Sequence, residues 1–238
     1  MACPRCLTGK LVMDVGSFNR REPDYITELL QNEGTAHEMS SGTFVGFLCC
    51  DENDCGEYVA VSGKYSSESH LFDDPYTGEM TDHVVSEYLP EAMIPAPQII
   101  PYPDNLNSDS KAHLSRAFAL FWSDHASCAN RLRIVVEYLL DQLSIPRVGQ
   151  KGQRKNARLD LADRIDLLKT AKPGHDGALN ALRFVGNVGS HEGVVDFEDL
   201  LTCFEVLEDI MIELIEGRRD KLNQRIQEIN SRKGKPKP

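Results

Sequence analysis

Past Asp104, apolar residues recur at helical spacing. Leu114, Ala117, Phe118, Phe121 and Trp122 form one stripe, and Leu132, Val135, Val136, Leu139, Leu140 and Leu143 form a second. Both stripes are expected to be core faces. A third helix is predicted over residues 159–169, ended by Lys172-Pro173-Gly174, and a fourth through residues 181–193. A fifth follows Asp196, where Asp199 three residues on resembles a capping arrangement, and carries Phe197, Leu200, Leu201, Phe204, Leu207 and Ile210 towards Gly217. A charged helix to about Ser231 and a disordered basic tail at residues 232–238 complete this half.

The front half follows a different pattern. Apolar and β-branched residues at 44–48 and 58–61 bracket the turn DENDCG, which predicts a hairpin. Residues 25–30 form a short amphipathic candidate. Residues 62–88 are polar and turn-rich, with His70 and His83 expected as solvated loop side chains. Pro95, Pro97, Pro101 and Pro103 then favour an extended, semi-rigid connector. The expected organisation is α+β: a β region over 1–88, a Pro-rich linker over 89–107 and an all-α bundle over 108–231.

Charge sharpens that division. Residues 1–103 carry 5 Lys+Arg against 17 Asp+Glu, whereas residues 104–238 carry 21 against 20. This balance argues against non-specific duplex binding by the whole surface, so any nucleic-acid contact is expected to be local. The run at 147–158, RVGQKGQRKNAR, holds five cations and no anion. It is expected as a mobile basic loop, with Lys151, Arg154, Lys155 and Arg158, together with Glu137, as candidate substrate contacts. No stretch of 18 apolar residues and no apolar N-terminal run occurs, so neither a membrane span nor a signal peptide is expected, and a cytoplasmic location is the default.

Seven cysteines in that setting are thiols or metal ligands. Cys3 and Cys6 are a two-residue-spaced pair, and Cys49, Cys50 and Cys55 flank the hairpin turn. The arrangement resembles a zinc ribbon with an insertion, in which Cys3, Cys6, Cys50 and Cys55 hold a structural zinc ion and leave no open position for water. Adjacent strand residues point to opposite faces, so Cys49 is the rival of Cys50. Cys128 and Cys203 fall inside helices as core or boundary thiols.

The compact polar constellation is in ALRFVGNVGSHEG, residues 181–193. Arg183, Asn187 and His191 lie at i, i+4 and i+8, on one helical face. Gly186 and Gly189 each cost a helix interior about 1 kcal/mol relative to Ala, which suggests close approach of another helix or a ligand. The alternative is a C-terminal histidine bonded to carbonyls, with Gly193 ending the helix. Arg133 and Glu137, at i and i+4, are expected as an ion pair.

Cys-x2-Cys, the later Cys-x4-Cys-Gly continuing as EYVAVSG, YLPEAMIPAPQIIPYP, Arg133 with Glu137, and LRFVGNVGSHEG together resemble the bacterial domain of unknown function 4145. That resemblance implies a HEPN-like helical bundle. Many HEPN proteins are ribonucleases or toxin components of prokaryotic conflict systems, with an Arg-Asn-x3-His signature completed across a dimer. Asn187 and His191 match this signature, and Gly186 stands where its arginine would be. Arg183 lies one turn earlier, offset by about 4.5 Å along the axis.

Two functions follow from the resemblance. The first is a zinc-stabilised, dimeric binding module that recognises RNA or a defence-system partner protein. The alternative is a metal-independent endoribonuclease using His191, Asn187 and Arg183. Gly186 and Gly189 would permit tight crossing of helices in the dimer.

Overall fold

A computed structural model describes residues 1–33, 39–73 and 80–235. The chain forms two compact units, Met1–Gln98 and Ile99–Pro238. Among the described residues no helix is long and apolar enough to cross a membrane.

The first unit is a four-stranded antiparallel sheet in the order β1-β2-β3-β4, formed by β1 (Leu11–Arg21), β2 (Met39–Cys50), β3 (Tyr58–Asp73) and β4 (Met80–Ile94), with helix α1 (Asp24–Glu33) between the first two strands. The hairpin around DENDCG is present as β2 and β3. Of the stretch at 62–88, residues 62–73 and 80–88 are strand and not loop, and residues 74–79 lie outside the described residues. The first part belongs to β3 and the second to β4, with His70 opposite His83 in the ladder. Val59, Val61, Tyr65 and Ser67 turn inward at period 2, and Ser67 bonds Ser86 hydroxyl to hydroxyl at 2.7 Å. Gly63 and Ser67 occupy apolar-face positions, so the alternation is hidden in a hydropathy reading.

β4 also takes in residues 89–94, which proline content assigns to the linker. Pro90 stands opposite Gly63, where the register shifts. An edge strand tolerates a missing N–H there, and a bulge absorbs the irregularity. β1 has no clean alternation because its own register shifts between Asp14 and Asn19.

The second unit contains α2 (Ser108–Leu120), α3 (His125–Gln142), β5 (Val148–Lys151), β6 (Arg154–Arg158), α4 (Leu161–Ala171), α5 (Asp176–Glu192), α6 (Phe197–Met211) and α7 (Arg218–Ser231), with a π-helical turn at Ile212–Glu216 before Gly217. Leu114, Leu132, Val136, Leu139, Leu182 and Phe204 are among its buried core. Asp160 and Asp163 form a reciprocal capping box on α4. The Asp196 side chain accepts from the backbone N–H groups of Glu198 and Asp199, as its position suggested.

The basic run is a hairpin, not a loop: β5 and β6 pair antiparallel and turn at Gly152, φ 60°. Its strands are largely exposed, so no apolar period marks them in the sequence. α7 is entirely unburied. Residues 232–235 extend it as a turn, and residues 236–238 of the expected tail lie outside the described residues.

Candidate functional site

Cys3, Cys6, Cys50 and Cys55 converge with their sulfurs all within 4.8 Å of one another. Two backbone knuckles bring them there. In the first, the Cys3 N–H donates to the Gly9 carbonyl at 2.9 Å, Leu7 takes φ 61°, and the Gly9 N–H points at Cys6 Sγ at 3.3 Å. In the second, the Cys55 N–H donates to the Glu52 carbonyl at 3.1 Å and Gly56 takes φ 62°. The Arg5 guanidinium ties the two together by donating to the Cys55 carbonyl at 2.9 Å.

The sulfurs of Cys3 and Cys55 are 3.6 Å apart, and those of Cys6 and Cys50 are 3.7 Å apart. A tetrahedral ion with metal–sulfur bonds of about 2.3 Å has edges of about 3.8 Å, so the donor set fits a four-thiolate ion. All seven cysteines are free of disulfides. Cys49 is outside the cluster; its thiol faces the Cys50 carbonyl at 3.5 Å. Strand alternation thus separates the two neighbours and selects Cys50.

The thiols are not equivalent. Hydrogen bonds from the Thr8 side chain and the Gly9 backbone lower Cys6 to about 6. At Cys50 the Glu52 backbone pulls the thiol down, but burial and the neighbouring cysteines outweigh it and raise the group to about 12. Burial raises Cys55 as well. Four sulfurs this close cannot all ionise without a cation between them.

In the helical unit, α5 ends at Gly193 in the left-handed conformation, φ 70°, as the C-terminal reading required. His191 is exposed, and Asn187 is half-buried. Arg183 does not reach Asn187: its Nε donates to Asn180 Oδ1 at 2.9 Å, and its guanidinium lies 4.3 Å from the centre of the Phe184 ring.

The guanidinium at Asn187 comes instead from α3. Arg133 Nε donates to Asn187 Oδ1 at 3.0 Å, while its Nη1 meets Glu137 Oε1 at 3.1 Å. A Cβ on Gly186 would lie 2.6 Å from Arg133 Cβ, and one on Gly189 would lie 2.6 Å from the Ala126 carbonyl. The two glycines therefore admit α3 of the same chain, so the close crossing expected for a dimer is made internally. Arg133 and Glu137 are the ion pair that their spacing implies, and the link to Asn187 has no counterpart in that spacing. Its only sequence signal is Gly186, a space for another helix's side chain.

The basic residues separate into engaged and open ones. Arg147 forms a two-pronged pair with Asp141, and Lys151 bridges Asp160 and Asp163. Among the described residues Arg154, Lys155 and Arg158 are exposed and have no side-chain partner. Arg164, only 2% exposed, donates to Asp141 Oδ1 at 2.7 Å and to the Glu137 and Ile145 carbonyls at 3.1 and 3.0 Å.

Residues 115–232 match the family described as a domain of unknown function (DUF4145), and residues 1–92 match a second domain of unknown function (DUF8608). No curated protein and no solved structure matches the chain.

Proposed function

We propose that this chain, a member of domain of unknown function 4145 through its helical region, is a binding module whose sheet unit is stabilised by zinc. Its HEPN-like helical unit pairs with a second copy to recognise RNA or a partner protein. The setting is the cytoplasm, in a prokaryotic defence or toxin–antitoxin system, in keeping with the family resemblance. The observation that carries the reading is the outer face of α5. Phe184 and Val188, 56% and 40% exposed, share one helical stripe with His191 beside the Asn187–Arg133 pair. An apolar stripe of this kind suits a symmetric contact that sets two such polar edges side by side. Zinc is favoured over other ions by four thiolates at tetrahedral spacing and by cysteine's soft donor character.

One observation favours a second reading, a metal-independent endoribonuclease. Arg133 brings a guanidinium to Asn187, beside Gly186, where the chain lacks the arginine of the HEPN signature. His191 would act as acid or base, Asn187 would orient, and Arg133 in place of Arg183 would meet developing negative charge on a phosphate.

The test is incubation of a labelled RNA panel with the purified chain in chelator, beside His191→Ala and Phe184→Asp, with the solution mass of each. The module reading expects retention of RNA without cleavage by wild type and His191→Ala, and a dimer mass that falls to monomer in Phe184→Asp. Cleavage by wild type that is lost in His191→Ala would replace it with the enzyme. A monomeric wild type would remove the paired site.

A further inference from the structure

We infer that the pocket between α3, the β5–β6 hairpin and the start of α4 is a binding site for a terminal phosphate group. The pocket has a volume of about 250 Å³ and is lined by Arg133, Glu137, Arg147, Arg158, Asp160 and Arg164, with Leu159 and Leu161 beneath. Four of these side chains are guanidinium groups, whose planar forks match the oxygens of a phosphate.

The carboxylates around the pocket are already occupied. Glu137 is held by Arg133, Asp141 by Arg147 and Arg164, and Asp160 and Asp163 by Lys151. Arg158 is the lining cation left without a counter-charge, and it is exposed at the rim. Arg164 contributes from behind: it is 2% exposed, and its Nε has no hydrogen-bond acceptor. Asp141 offsets the charge of Arg164, so its Nε–H without an acceptor adds a donor dipole to the wall, while Arg158 supplies the uncompensated positive charge. Inorganic phosphate or a phosphomonoester fits this field, because its charge is concentrated at one end and the pocket is small.

The proposed RNA recognition bears only on the source of the phosphate, which would be the 5′ end of an RNA or a free nucleotide. Arg133 joins the two places, since it lines the pocket and also bonds Asn187. A phosphate held there would be anchored one residue away from the α5 stripe.

The test is titration of the full-length chain with four probes: inorganic phosphate, a nucleoside 5′-monophosphate, and one RNA sequence carrying either a 5′-phosphate or a 5′-hydroxyl. The variants are Arg158→Gln and, as a control, Arg116→Gln, which alters an exposed arginine on α2 away from the pocket. Unchanged melting of Arg158→Gln, expected because its side chain has no partner, keeps the comparison valid. The expected result is that at least one phosphate-bearing probe binds and weakens about tenfold in Arg158→Gln, the loss of one charge-assisted bond, and less than about twofold in Arg116→Gln. Preference for the 5′-phosphate RNA over the mononucleotide identifies an RNA end, and the reverse identifies a free nucleotide. Equal binding of the two RNAs, insensitive to Arg158→Gln, would overturn the pocket while leaving RNA recognition standing. Phosphate binding with no RNA binding would uphold the pocket and remove the RNA reading.

Discussion

The two units are closed by different means. At the knuckle end of the sheet, the buried cluster is Cys3, Cys50 and Cys55 with Cys6 and Leu11 against it, so sulfur takes the place that leucine and phenylalanine hold in a helical core. Among its described residues the helical unit buries a continuous apolar interior and one charge, Arg164, neutralised by Asp141. The cysteine end of the sheet is thus suited to closure by an ion from outside the chain, while the helical core is built from its own apolar side chains. Removal of metal is expected to act on one unit and leave the other intact.

That contrast breaks most sharply under chelation. Structural zinc sites couple on the order of 10 kcal/mol of binding to folding. Stripping the metal should therefore abolish the cooperative melt of the sheet unit, while the helical signal in circular dichroism melts at its former temperature. Loss of both together would mean that the units stabilise one another.

The reciprocal experiment is Asp141→Asn. It leaves Arg164 buried without its counter-charge, and should cost the helical unit about 3 kcal/mol in denaturant unfolding while zinc content stays constant. Acid separates the units as well. The hydrogen bond from Arg147, together with the charges of Arg147 and Arg164, holds Asp141 below the usual carboxylate range. Its stabilisation is present above the unfolded carboxylate value and is lost only as pH falls through the lowered folded one. Thiolates protonate at higher pH, so on acidification the metal should leave before the helices melt, followed by zinc release against ellipticity.

Gly186→Arg sharpens the comparison inside the helical unit. It places an arginine where the HEPN signature would have one, but its Cβ meets Arg133 at 2.6 Å. The expected outcome is a loss of about 1–3 kcal/mol by overpacking and no gain of RNA cleavage. A stable Gly186→Arg protein that cleaves RNA would show that the α3–α5 crossing can yield.

What was legible in the sequence follows the same division. Helices with a full apolar stripe, such as α3 and α6, announce themselves because burial on one side imposes a period. So did the four clustered cysteines, since knuckle spacing and hairpin placement are local. The β3–β4 ladder is hidden because Gly63 and Ser67 occupy its inward face, and Pro90 resembles a linker residue although it stands on an edge strand. The hairpin at 147–158 was hidden because it buries almost nothing. Arg133 at Asn187 is a contact between residues 54 apart in sequence, and only the crossing of α3 over two glycines brings it about.

Cys3, Cys6, Cys50 and Cys55, and not the neighbouring Cys49, are expected to close the sheet unit around one zinc ion. Native mass spectrometry with elemental analysis on the wild type, Cys50→Ser and Cys49→Ser tests it most directly. One zinc per chain in the wild type and Cys49→Ser, and none in Cys50→Ser, is the expected result. Zinc retained in Cys50→Ser, or lost in Cys49→Ser, or absent from the wild type purified without chelator, would contradict it.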